Sequence, residues 1–262
     1  MNICNTCDRK MVEAAIAMRE KLPEQEQHEA QRVSNECSPA LSSLSCVSHT
    51  PSSQELTLET QWNVGIGGGI WTTGLLLCEY FGRNATFFSK VLYGKRIIEI
   101  GSGTGLVALS LATNALFKPQ EIVVTDQKDH LDLIERNICA NIAKMKAPIR
   151  VQEFNWLKDK ETKNTDSKVK ALCALPFDVV VGTDVAYCQE LYGPVVHALC
   201  RLSGPHSLIL LGVTRTDTNP RFFQLLQEEG FDYCLTPVAD GESSCTVAGG
   251  FALLSVVRRV GS

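Results

Sequence analysis

Seven residues carry most of the chemistry this sequence can do. Glu99, Gly101, Gly103 and Gly105 form the run E-x-G-x-G-x-G, Asp126 ends the run EIVVTD, and Asp184 and Tyr187 lie in the run FDVVVGTDVAY. Glycines at a strand-to-helix turn let the backbone fold tightly and let a ligand approach it closely. A helix that follows offers free N–H groups and a partial positive charge. An acid at a strand tip can accept hydrogen bonds from two ribose hydroxyls and repels a 2′-phosphate. A carboxylate and a phenol at another strand tip can orient an amine and stabilise partial positive charge on it. The spacing is selective. A dinucleotide fingerprint needs G-x-G-x-x-G, and position 106 is leucine. No Lys-Ser or Lys-Thr follows, which excludes a P-loop.

These residues need a parallel sheet to bring them together. Arg96 to Ile100 is rich in β-branched residues and stops at the glycines, and Leu106 to Ala112 reads as the helix after it. Glu121 to Asp126 is a second strand. Asp129 to Ala143 is helical, with Asn137 and Asn141 four apart on one face. Ile149 to Phe154 is a third strand, and Phe177 to Val181 a fourth, apolar throughout as for a strand covered on both faces. Pro194 suits the first turn of a helix. SLILLGV is strand five, Pro220 to Glu229 a helix, and Asp232 to Thr236 with Phe251 to Arg258 a last pair of strands. Ile70 to Phe81 fits a helix with one buried face, preceding the first strand. The alternation predicts an α/β fold: a Rossmann-like, mostly parallel sheet with helices on both faces.

The run E-x-G-x-G-x-G with an acid after strand two resembles the class I, seven-β-strand S-adenosylmethionine-dependent methyltransferases. The resemblance covers roughly Trp62 to Arg259. It implies seven strands, a C-terminal antiparallel hairpin, S-adenosyl-L-methionine as cofactor, and Glu99, Gly101, Gly103, Gly105 and Asp126 as residues that hold it. Further motifs resemble the protein-lysine branch, methyltransferase family 16 of the methyltransferase-like 21 type. Trp71, Gly74 and Leu77 match W-x-x-[AG]-x-x-L, Phe154, Asn155 and Trp156 match [LF]-[DN]-W, Asn137 and Asn141 match N-x-x-x-N, and Asp184 and Tyr187 match D-x-x-Y. The resemblance implies that Trp71 and Trp156 lie beside the cofactor. It also implies that Asp184, at the cofactor's edge, and Tyr187 meet the acceptor amine as catalytic residues. Thr72 departs from the family, which carries an acid there. Val185 and Ala186 stand where methylases of nucleobase amines carry two prolines.

Composition narrows the partners. The 262 residues carry a net charge of −4, so no electrostatic case exists for nucleic acid or an anionic membrane. No apolar run approaches the ~20 residues of a membrane span. Eleven cysteines at irregular spacing, several inside apolar segments, read as free thiols in a reducing cytoplasm. Cys4 and Cys7 form a C-x-x-C pair without a second pair, and no metal is expected. Residues 1–58 hold eight acids and five bases and are rich in Glu, Gln and Ser. They read as a flexible extension, with a short helix predicted over Val12 to Leu22. Residues 59–262 read as the methyltransferase domain, with Trp62 opening its ordered part. Lys158 to Lys170, with five lysines and three acids, reads as a mobile insertion.

The reading these features favour is a monomeric protein-lysine methyltransferase acting on a protein, with a chaperone or translation factor the kind of substrate the resemblance suggests. Two others stay open here: methylation of another nitrogen (protein histidine or arginine, nucleic acid or a small molecule), and a cofactor-binding module without catalysis. Asp126→Ala should weaken S-adenosylmethionine binding by about 1.5–3 kcal/mol, through lost hydrogen bonds to a charged group. Calorimetry checks it, and unchanged affinity would remove Asp126 from the site.

Overall fold

A computed structural model describes residues 55–161, 167–214, 218–237 and 250–259. The sequence-predicted helix over Val12 to Leu22, the Cys4–Cys7 pair and most of the loop after residue 240 lie outside them. Strands β1 (Arg96–Glu99), β2 (Glu121–Asp126), β3 (Ile149–Glu153), β4 (Phe177–Thr183), β5 (Ser203–Thr214), β6 (Phe231–Pro237) and β7 (Phe251–Arg258) form one sheet. Its order is β3-β2-β1-β4-β5-β7-β6. β1 to β5 are parallel, while β7 runs antiparallel to both β5 and β6. This is the seven-stranded sheet with a C-terminal hairpin that the sequence predicts.

The helices are α1 (Thr72–Arg83), α2 (Ala85–Leu92), α3 (Leu106–Thr113), α4 (Lys128–Asn141), α5 (Trp156–Glu161), α6 (Ser167–Leu172), α7 (Gln189–Leu202) and α8 (Pro220–Glu228). Alternate strand residues feed two cores. Ile97, Val124, Val179 and Val181 pack with α1, α2 and α3 on one face. Ile98, Val123 and Val180 pack with α7 and α8 on the other. Helix α3 is buried nearly all round, which its lack of a polar face requires.

Three expectations change. Pro194 sits inside α7 rather than in its first turn. It leaves one carbonyl of the preceding turn without its helical partner, and the burial of Tyr192, Val195 and Leu199 in the core holds the helix through it. Residues 158–170 are not one irregular insertion, because α5 and α6 occupy both its ends. The packed unit also begins upstream of residue 59 and of Trp62. Leu56 and Leu58 are both 2% exposed and belong to the core, an alternation too short to stand out among polar neighbours.

Asn137 and Asn141 hold that upstream segment. Asn137 accepts the Glu59 N–H at 2.6 Å and donates to the Glu59 carbonyl at 3.1 Å. Asn141 accepts the Thr57 N–H at 3.0 Å and donates to the Thr57 carbonyl at 2.7 Å. Each side-chain amide pairs as a neighbouring strand would. Four helical residues rise ~6 Å and two extended residues ~6.6 Å, so the registers match. Asn137 also donates to Thr104 O at 2.9 Å, tying the segment to the glycine loop. Asn137→Ala should lower stability by about 1–3 kcal/mol in urea denaturation, since buried backbone groups lose their partners. Asn141→Ala should weaken cofactor binding less than Asn137→Ala, because only Asn137 reaches the loop.

Candidate active site

The strand order reverses between β1 and β4, and ligands of open α/β sheets bind beyond the C-terminal strand ends at such a point. A cavity of about 560 Å³ lies there. Gly101, Gly103 and Gly105 take φ of +61°, +59° and +79°, a region that costs other residues strain. Space is equally restrictive. A Cβ on Gly101 would lie 2.7 Å from the Trp156 ring and 2.9 Å from Val185 Cγ1. A Cβ on Gly103 would lie 2.5 Å from Gly67 O.

Two buried acids brace the loop. Glu99 accepts the Ala108 N–H at 3.0 Å, in the first turn of α3. Burial nevertheless dominates and pushes its carboxyl up to about 8, with the charge of Asp126 adding to the rise. Asp126 accepts the Gly103 N–H at 2.8 Å and the Gln127 N–H at 2.7 Å. Burial raises its pKa too, opposed by those bonds and by His130.

Asp184 follows β4 with φ +50°, a left-handed conformation that aspartate tolerates better than most residues. Its N–H donates to Gly212 O at 3.1 Å. The Thr73 hydroxyl donates to Oδ2, and the Thr214 hydroxyl to Oδ1 at 3.4 Å. Helix α1 and strands β4 and β5 thus fix one carboxylate. Tyr187 is 45% exposed at the cavity rim. Trp71 caps the start of α1, donates from its indole to Ile66 O at 3.0 Å and stands edge-to-face with Trp62. All nine sequence-predicted site residues cluster around this one cavity: Asp126, Asp184, Tyr187, Trp71 and Trp156 line it with Glu99, Gly101 and Gly103, and Gly105 caps α3 beside them.

Sequence reasoning missed three features. Thr73 and Thr214 carry no motif of their own. The glycine run Gly65 to Gly69 covers Gly103, and its repeated glycines were a visible signal. His130 lies buried in the wall, four residues after Asp126.

The family model described as lysine methyltransferase matches residues 50–229. The chain belongs to this family. It is similar to EEF1A lysine methyltransferase 3 of Xenopus tropicalis, 29% identical over 57% of this chain and 58% of that protein. It is 28% identical to protein N-lysine methyltransferase METTL21A of Danio rerio, over 72% of this chain and 82% of the relative. It is 27% identical to protein-lysine N-methyltransferase EFM6 of Saccharomyces cerevisiae, over 62% and 70%. The chain thus spans between about half and four-fifths of the curated relatives' lengths. The solved methyltransferase SMU.776, complexed with SAH, shares the fold with a TM-score of 0.50 at 12% identity, over 79% of this chain and 56% of that one.

S-adenosylmethionine is the cofactor of this lysine methyltransferase family, and the cavity fits it. The volume suits a nucleoside-sized ligand, the glycines keep Cβ atoms out of its floor, and Asp126 supplies carboxylate oxygens at the tip of β2. Among the described residues no cluster of three or more His, Cys, Asp or Glu could hold a metal. No helix among them is long and apolar enough to cross a membrane.

The Glu99 shift makes stability depend on pH. Between its ordinary 4.5 and about 8, the folded protein keeps a proton that the unfolded chain has released. Its contribution is therefore full below 4.5 and is lost as pH rises through about 8, by up to ~1.4 kcal/mol per pH unit. Urea denaturation at pH 5 and pH 8 should show a steeper loss in the wild type than in Glu99→Gln. Equal slopes would place a carboxylate, not a carboxylic acid, at the base of the loop.

Proposed function

We propose that the chain moves a methyl group from S-adenosylmethionine to the ε-amine of a lysine on a protein substrate, and that Asp184 and Tyr187 meet that amine. The observation that carries this reading is the placement of Asp184: fixed at the tip of β4, it faces the same cavity as the glycine loop and Asp126. When bound, the cofactor supplies an electrophilic methyl group on a sulfonium. The chain's own residues then need to hold and align the amine. A free lysine has a pKa near 10.4 and arrives as an ammonium. The Asp184 carboxylate accepts hydrogen bonds from it, with Thr73 and Thr214 holding both oxygens in place. The proton leaves to water at the open mouth. Burial, and then the neighbouring Cys188, raise the pKa of the Tyr187 phenol, so it stays neutral at physiological pH. It lines the approach with a ring, and its oxygen can accept an N–H of the amine, leaving the lone pair free.

Val185 and Ala186 support a side-chain amine over a nucleobase, since the paired prolines of base methylases are absent. The frog relative's name makes the translation factor EEF1A the first substrate to test. Cys78, Cys188 and Cys200 are free thiols, which supports action in the cytoplasm.

The test is methyl transfer from labelled S-adenosylmethionine to purified EEF1A and to cell extract, followed by mass spectrometry. Label should reside on lysine in protein. Asp184→Ala should cut turnover by roughly 100-fold, about 3 kcal/mol of transition-state stabilisation, and change cofactor affinity only several-fold. Tyr187→Phe should cost less than Tyr187→Ala, because the ring wall survives. Full activity in Asp184→Ala, or label only in nucleic acid, would overturn the proposal. Label on histidine or arginine would correct the acceptor alone.

A further inference from the structure

His130 stands apart from the other buried polar side chains among the described residues. Its ring is 2% exposed. Nδ1 and Nε2 are the only buried side-chain nitrogen or oxygen atoms without a hydrogen-bond partner among the described residues. Leaving buried polar atoms without a hydrogen bond costs stability. The residue occupies the first turn of α4 and lines the cavity beside Asp126, Gly67 and Gly103. Nδ1 lies 3.5 Å from Asp126 Oδ1, within ion-pair reach but without hydrogen-bond geometry. The other side of the ring meets the glycine turn: a Cβ on Gly67 would sit 2.8 Å from Nε2.

We infer that His130 is a cofactor-binding residue that hydrogen-bonds the same ribose hydroxyl as Asp126. The inference rests on S-adenosylmethionine occupying this cavity with its ribose at Asp126. A hydroxyl both donates and accepts, whereas an ionised carboxylate only accepts. Asp126 can accept the hydroxyl's O–H hydrogen bond but cannot donate to its lone pairs. Imidazole N–H is the donor that complements it, and at 3.5 Å from Asp126 Oδ1 one oxygen can contact both groups. The ring meets the Gly67 turn on one side and lines the cavity. Nδ1, beside Asp126, then finds its partner in the ribose hydroxyl.

The test uses the full chain and calorimetry with S-adenosylhomocysteine and its 2′-deoxy and 3′-deoxy analogues. His130→Phe keeps the ring volume and removes both nitrogens. It should weaken S-adenosylhomocysteine about tenfold, the size of one hydrogen bond. The loss should vanish for the one deoxy analogue that lacks the shared hydroxyl. His130→Asn, which restores an N–H donor, should recover part of the affinity. In the wild type, the imidazole ¹⁵N resonances of His130 should move on adding S-adenosylhomocysteine. Unchanged affinity in His130→Phe, or an equal loss for all three ligands, would overturn the inference and leave the cofactor site standing. Absence of S-adenosylhomocysteine binding by the wild type would overturn the cofactor assignment itself.

Discussion

The bond from the Gly103 N–H to the Asp126 carboxylate, 2.8 Å long, is the constraint around which the site is arranged. It joins the glycine loop after β1 to the tip of β2. A loop with three left-handed glycines has little steric preference of its own, and a fixed acceptor supplies one. The main chain reinforces the link, since Ser102 N–H donates to Thr125 O at 3.1 Å and Thr125 Oγ1 donates to Glu99 O at 2.7 Å. Glu99 then reaches the first turn of α3. Strand, loop and helix are held as one piece, so the cavity floor is shaped before any ligand enters. The same acid that would read the ribose also sets the loop that would cradle the ligand.

Three other parts of the chain converge on this piece. Asn137 binds Thr104 from one side and the extended segment at Glu59 from the other, so a stretch far upstream in sequence sits against the glycine loop. The glycine run at 65–69 covers the far side, where no side chain would fit between Gly67 and Gly103. At the opposite end of the cavity Asp184 is clamped by hydroxyls from α1 and β5. Asp126 and Asp184 therefore stand at the tips of different strands of one sheet, β2 and β4, with β1 paired between them.

The two buried acids show opposing forces at work. Each accepts backbone N–H groups, which favours the ionised form, and in each burial outweighs that effect.

Much of this was legible in the sequence because it is local. β-Branched and apolar runs located the strands, and helical periodicity located most helices. The glycine spacing marked the turn, and Asp126, Asp184 and Tyr187 stood at strand ends where a parallel sheet presents its ligands. What sequence could not decide depends on residues far apart in the chain. Thr73 and Asp184 are 111 positions apart, and no local pattern announces a hydroxyl aimed at a carboxylate. Leu56 and Leu58 looked like part of a polar tail until two asparagines of α4 gave that segment a partner. Pro194 was placed in a first turn by its own preference, and packing of the surrounding helix overrode it. His130 is one of five histidines at irregular spacing and belongs to no motif, and only the folding of β2, α4 and the glycine turn around it left its ring buried without a hydrogen-bond partner. Local propensity chooses the elements; burial and hydrogen-bond completion, which exist only once the chain is packed, choose the company each side chain keeps.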